Sequence, residues 1–278
     1  MEIDLEKLKD WNGREESVSE LLTPVLTARF NATFDREGSC ELGAHAPLLL
    51  HHCLCHHAVP TADLGSDGHA KRGGFLPPVP FPRRMWAGGS IRFHSPLHVG
   101  EIMTRHSTIC DVAIKQGSSG ALCFVTVIHN YWANSRAILT EQQDIVYRDT
   151  PTHGSASKSL TPAPQGTEQR EIIISPELLF RYSALTFNSH RIHYDLPYAT
   201  LEEGYPNLIT HGPLQAALLA QYAVDLRGGT PAQLRFRGKT PAFVNSPLVL
   251  HASEKDEELK LWSAPPGGPI AMEASATW

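Results

Sequence analysis

The chain is predicted to be an α+β protein made of two copies of one module, each a long apolar helix wrapped by an antiparallel sheet. Two paired echoes and a linker predict this. His45-Ala-Pro-Leu48 and His211-Gly-Pro-Leu214 share a proline offset, and each opens an apolar run. Further on, Ile91-Arg-Phe-His-Ser-Pro and Leu234-Arg-Phe-Arg-Gly-Lys-Thr-Pro share Arg-Phe followed by a proline, and alternating strand-like segments come after both. The same order in both halves is what a duplication leaves. Between the halves, residues 150–167 are rich in Ser, Thr, Pro and Gly and cannot support a core. The first module is therefore set at 1–149, the linker at 150–170 and the second module at 171–278.

Taken in order, residues 1–24 read as a helix followed by a second short one, because Leu5, Leu8 and Trp11 repeat at three-residue steps. Residues 27–34 are strand-like, and 46–58 look like a buried helix. Strands are expected over 108–115, 121–132 and 138–148, and again over 248–252, 259–263 and 271–278. Residues 171–174 form a short strand leading into a helix at 177–183. Pro213 suits the first position of a helix, which makes Gly212 its cap. From Leu214 to Val224 the run is apolar almost without a break, so this helix should be buried on nearly every side.

Composition narrows the function classes. A 278-residue chain with 41% hydrophobic residues can build a core, and a net charge of −5 argues against a general nucleic-acid binder. No stretch is apolar enough to span a membrane, and the charged start, Met1-Glu-Ile-Asp-Leu-Glu-Lys7, does not read as a signal peptide. Five cysteines without framework spacing suggest reduced thiols in a cytoplasmic protein. His51, His52, Cys53, Cys55, His56 and His57 are metal-ligating types. On a helix, however, adjacent side chains diverge, so no metal is expected and the imidazoles should hydrogen-bond to their surroundings.

The chemistry is expected at Phe187-Asn-Ser-His-Arg-Ile-His-Tyr-Asp195 and at the helix start after His211. A glycine there allows close approach to the backbone. The free N–H groups of the first turn, with the helix dipole, can hold an oxygen that gains negative charge. His193 is the candidate base, because imidazole exchanges protons near neutral pH, and Asn188 can help hold a water beside it. The competing reading is that these groups only satisfy one another at a helix–helix connection. On an alternating strand Arg235 and Arg237 share one face, which suits phosphates, though a charged sheet edge would look the same. Arg83 and Arg84 precede Trp86 and could neutralise a carboxylate.

Residues 187–193 with His211-Gly-Pro resemble the MaoC-like hydratases and dehydratases of the hot-dog fold, whose loop reads Asp-x-Asn-Pro-x-His and whose central helix opens with His-Gly. Matched in order, Asn188 stands for the Asp, His190 for the Asn, Arg191 for the Pro and His193 for the catalytic His. Gly212 matches the backbone donor to the thioester oxygen, beside His211. Asn188 is a departure: an amide orients water but cannot take its proton, so His193 carries the base role more nearly alone, with Asp195 as a possible assistant. Together with residues 73–89 the pattern is similar to the long, two-module members, which include mesaconyl-C4-CoA hydratases, itaconyl-CoA hydratases of itaconate breakdown and mitochondrial 3-hydroxyacyl thioester dehydratases.

The resemblance implies a double hot-dog, no cofactor, a homodimer by analogy and an acyl-CoA substrate. That substrate is expected to be a branched five-carbon dicarboxylic ester, itaconyl-CoA or mesaconyl-C4-CoA. The first module has no imidazole at the matching distance before His45, which implies one site per chain and a first half that shapes the acyl pocket. A dehydratase of fatty acid synthesis is the alternative enzyme, and Asn188 keeps open a non-catalytic acyl-thioester binding module. A thioesterase fits less well, since the only carboxylate on the central helix, Asp225, sits at its far end.

Overall fold

The computed structural model describes residues 5–117, 120–149 and 161–278. Ten strands form one antiparallel sheet: β1 (Glu15–Leu21), β2 (Arg83–Phe93), β3 (Ile102–Gly117), β4 (Gly120–Ala133), β5 (Arg136–Arg148), β6 (Glu168–Ile174), β7 (Gln233–Gly238), β8 (Ser246–Lys255), β9 (Glu258–Ala264) and β10 (Met272–Thr277). Their spatial order is β1-β3-β4-β5-β2-β7-β10-β9-β8-β6. The second half of that order repeats the first in mirror sequence, strand for strand. The Arg-Phe echoes meet at the centre, where Ile91 pairs with Leu234 and Gly89 with Phe236 across the β2–β7 junction. β6 begins at Glu168, inside the span read as linker, and residues 150–160 of that span lie outside the described residues.

Among the described residues three α-helices accompany the sheet: α1 (Pro24–Thr33), α2 (Pro176–Leu185) and α3 (Gly212–Arg227). α1 and α2 are counterparts, each opened by a hydroxyl cap and a proline. Thr23 Oγ1 accepts from Leu26 N at 3.1 Å and Ser175 Oγ from Leu178 N at 3.2 Å. This corrects the strand expected over 27–34, where the cap and the proline outweigh the β-branched residues. The N-terminal helix expected from three-residue spacing is a 3-10 helix, Leu5–Trp11, the conformation whose side chains eclipse at that interval. The second helix expected before Pro24 is instead strand β1, paired with β3.

α3 is buried without interruption from Leu214 to Ala223, as its nearly unbroken apolar run implies, and joins a core drawn from both halves. The largest correction lies at 46–58, where no α-helix forms. A single 3-10 turn, Leu50–Cys53, is entered through Leu49 at φ 63° and left before Cys55 at φ 61°. Left-handed non-glycine residues at both ends interrupt the helical path. The segment is still buried, but only the second half carries a long central helix. Among the described residues no helix is long and apolar enough to cross a membrane.

Candidate active site

The site forms where α2, the loop after it and the start of α3 meet. Beyond α2 the chain turns at Phe187 (φ 47°), and Asn188 N donates back to Ser183 O at 2.9 Å. The Asn188 Oδ1 accepts from His190 N at 3.0 Å, so its NH2 end is what the amide can offer the adjoining space. A 3-10 turn over Arg191–His193 then carries the His193 ring inward. Its Nδ1 lies 2.8 Å from Ile209 O. A carbonyl only accepts, so Nδ1 holds the proton and Nε2 keeps its lone pair. Burial lowers the His193 pKa to about 4, against the opposing pull of the Ile209 bond, and the ring is neutral at pH 7.

His193 stacks on His211, ring centres 3.6 Å apart and 21° from parallel, and the Ser183 hydroxyl lies 2.8 Å from His211 Nε2. His211 is 1% exposed and does not line the cavity that His193 lines, which corrects its reading as a substrate contact: it is a shelf behind the His193 ring. His211 is also the cap of α3, so Gly212 and Pro213 are the first two helical residues rather than cap and first. The first-turn amides have no intrahelical acceptor. A Cβ on Gly212 would stand 2.9 Å from Trp86 Cε3, and Trp86 is itself stacked on Phe236 at 4.6 Å, so only glycine fits beneath the indole.

His193, Asn188, Gly212 and Pro213 all line one cavity of about 700 Å³, which runs into the first half past Trp86 and His52. His193 and the start of α3 thus border one half-open cavity, a pairing that can move a proton while holding a developing oxyanion. Asp195 takes no part. It accepts from Arg191 Nε at 2.9 Å and Tyr198 N at 3.1 Å, which corrects its expected help to His193.

The first half braces the loop. Asp67 O accepts from Arg191 N at 2.9 Å, Ser189 Oγ donates to Gly68 O at 2.5 Å, and the His69 ring lies 4.1 Å from that of His190. Gly68 (φ 88°) passes so close that a Cβ would meet Ser189 O at 1.9 Å. Donor atoms of Asp67, His69 and His190 converge, as do those of His51, His52 and Glu141. The latter group corrects the expectation that adjacent imidazoles diverge, since off a helix both rings turn to one carboxylate.

Of the cationic candidates, Arg83 and Arg84 line the cavity. Arg83 is already neutralised by Glu203, with Nε 3.0 Å from a carboxylate oxygen. Arg235 and Arg237 are exposed opposite buried Leu234 and Phe236, as alternation predicts, but they do not line the cavity. His69, Tyr182 and Thr210 line it and were not singled out from the sequence. The Tyr182 hydroxyl and Thr210 Oγ1 are buried there without a partner. No spacing marks these three, because each reaches the cavity through chain crossings that the sequence does not display.

A model of the family described as hydroxyacyl-thioester dehydratase type 2 matches residues 49–244, spanning both Arg-Phe segments and the His193 loop. The chain belongs to that family. It is 39% identical to the mesaconyl-C(4)-CoA hydratase of Chloroflexus aurantiacus over 95% of each chain. It is 31% identical to a mitochondrial hydroxyacyl-thioester dehydratase type 2 of Schizosaccharomyces pombe, covering 71% of this chain and 74% of that one. Among solved structures, a MaoC-like dehydratase from Phytophthora capsici superposes with a TM-score of 0.72 over 99% of both chains at 13% identity. A double hot-dog protein of Mycobacterium tuberculosis gives 0.61 at 12% identity, covering 98% of this chain and 97% of that one. This member of the family therefore has the MaoC-like double hot-dog fold.

Proposed function

We propose that the protein is an enoyl-CoA hydratase that adds water reversibly to a branched, short, dicarboxylic enoyl-CoA, with mesaconyl-C4-CoA or itaconyl-CoA as substrate. The observation that carries this is the shared cavity of the His193 imidazole and the Gly212 amide, in a chain 39% identical to a mesaconyl-C(4)-CoA hydratase. On mesaconyl-C4-CoA the Asn188 amide holds a water whose proton passes to His193 Nε2 as its oxygen adds to the β-carbon. Charge moves to the thioester oxygen, which the Gly212 N–H and the positive end of α3 stabilise. The protonated His193 then returns the proton to the α-carbon. One O–H bond breaks, C–O and C–H bonds form, and the double bond becomes single.

Lys239 lines the cavity two residues beyond Arg237. A pantetheine arm leaving at that edge would pass the guanidinium groups of Arg237 and Arg235, which supports their role with the coenzyme A phosphates. The test is loss of enoyl-thioester absorbance with mesaconyl-C4-, itaconyl- and crotonyl-CoA, using His193→Ala as control. Turnover by the wild type and its collapse in the variant are expected; full rate in His193→Ala would remove the assigned base.

A further inference from the structure

The end of the cavity away from His193 is polar. In the second half α3 fills the space under its strands. In the first half the matching space holds only the Leu50–Cys53 turn, and imidazoles, a guanidinium and a carboxylate stand there instead. The carboxylate is Glu141 on β5, fully buried. Its Oε1 accepts from His52 Nε2 at 2.9 Å and Gln143 Nε2 at 3.0 Å; its Oε2 accepts from His51 Nε2 at 3.3 Å and the Tyr131 hydroxyl at 3.4 Å. Four donors fill its four lone-pair positions, so Glu141 needs nothing from the cavity.

Because Glu141 occupies His52 Nε2, the other ring nitrogen of His52 points away from it. That Nδ1 is buried without a partner on a side chain 7% exposed, and His56 Nε2 and Arg105 Nε are likewise buried and unpartnered. All three residues line the cavity. Arg105 spends one terminal nitrogen on Glu16, at 3.0 Å. A hydrocarbon tail would leave these buried polar atoms unsatisfied, whereas a carboxylate at this end of the cavity can pair with the Arg105 guanidinium among them. A permanent guanidinium supplies the charge.

We infer that His52, His56 and Arg105 form the subsite for a second, free carboxylate at the far end of the substrate's acyl group, and so determine specificity. This rests on the hydratase reading above and goes beyond it by assigning the residues. The span agrees. One indole separates the two ends, since Trp86 packs at Gly212 on one side and lies edge-on to His52 at 6.3 Å on the other.

The test compares mesaconyl-C4-CoA with crotonyl-CoA, which lacks the second carboxylate, in wild type, His56→Leu, Arg105→Gln and Arg105→Lys. His56→Leu and Arg105→Gln should lower kcat/KM for mesaconyl-C4-CoA ~100-fold, mainly through KM, because a buried charged contact is lost. Crotonyl-CoA should stay within about 3-fold, since its chemistry uses the other end. Arg105→Lys should recover part of the loss by keeping the charge. Free mesaconate should inhibit wild type far better than crotonate does, and the two damaged variants should lose that difference. Parallel loss on both esters, or no loss on mesaconyl-C4-CoA, would overturn the subsite. A wild type that hydrates no ester while still binding mesaconate at these residues would overturn the hydratase reading and leave the subsite standing.

Discussion

Replacing Gly212 by alanine separates what a helix wants from what the site requires. Within a helix Ala is favoured over Gly by ~1 kcal/mol, so an unconstrained substitution would stabilise the protein. Here the new methyl would lie 2.9 Å from Trp86 Cε3, and the indole cannot retreat because it is stacked on Phe236 at 4.6 Å. Forcing a methyl into such a contact costs ~1–3 kcal/mol, which cancels or exceeds the helical gain. The helix start must shift by a fraction of an ångström, and it carries the proposed oxyanion donor. A misplaced donor of this kind costs about 10²-fold or more in kcat. The expected result is therefore a stability change of no more than ~2 kcal/mol in thermal unfolding, with kcat for mesaconyl-C4-CoA down ~100-fold. Trp86→Phe combined with Gly212→Ala should recover part of the rate by removing the clashing ring edge. A single variant that is stabilised and fully active would show that the Gly212 amide does not hold the oxygen.

Other substitutions and conditions give sharper contrasts. Asp195→Asn should leave kcat within a few-fold, because Asp195 is engaged by Arg191 and Tyr198 rather than by His193; a loss comparable to that of His193→Ala in the same absorbance assay would contradict this. Leu219→Ala, in the fully buried α3, should cost ~2–5 kcal/mol in denaturant unfolding, and a loss under 1 kcal/mol would mean the helix is not central to the core. Buried His51, His56, His69, His129 and His193 have pKa values lowered by burial to about 4. The unfolded chain binds protons near pH 6.5 that the folded one refuses, so stability is present above that pH and is lost as pH falls from 6.5 towards 4. Each group contributes up to about 3 kcal/mol to that loss, and far-ultraviolet dichroism should show acid unfolding in this window. A fold that persists unchanged at pH 4 would contradict it.

The legible parts of this sequence were those where local chemistry and burial agree. The run Leu214–Val224 has no polar face and became the buried helix. The Arg-Phe echoes marked equivalent strands and turned out to be direct neighbours across the junction, where Ile91 faces Leu234. The His193 loop was readable because its polar side chains are adjacent in the chain. The failures have a common cause. Residues 46–58 carry a helical pattern of apolar residues, but His51 and His52 are committed to Glu141, far away on β5, and a long-range polar network overrides local propensity. His69, Tyr182 and Thr210 reach the cavity from separate elements, and no spacing rule joins them to His193.

The unequal halves of the sheet explain why a cavity exists at all. Two long helices, one per half, would fill the concave side, as the Leu214–Ala223 segment fills its own half. Leu49 and Cys55 adopt left-handed backbone instead, at a cost of ~1–3 kcal/mol each. The fourfold hydrogen bonding of Glu141 offsets this by fixing His51 and His52 in place. Withholding a helix from the first half opens a space bordered by polar groups such as His52, His56 and Arg105 as well as apolar ones. The second half supplies a bare imidazole nitrogen and a helix-start amide at the other end. Neither half could line this cavity alone, because the proposed base and oxyanion donor come from one and the far wall from the other. A substitution that restored an ordinary helix over 46–58 would therefore abolish the cavity while improving the core, and stability and turnover would move in opposite directions.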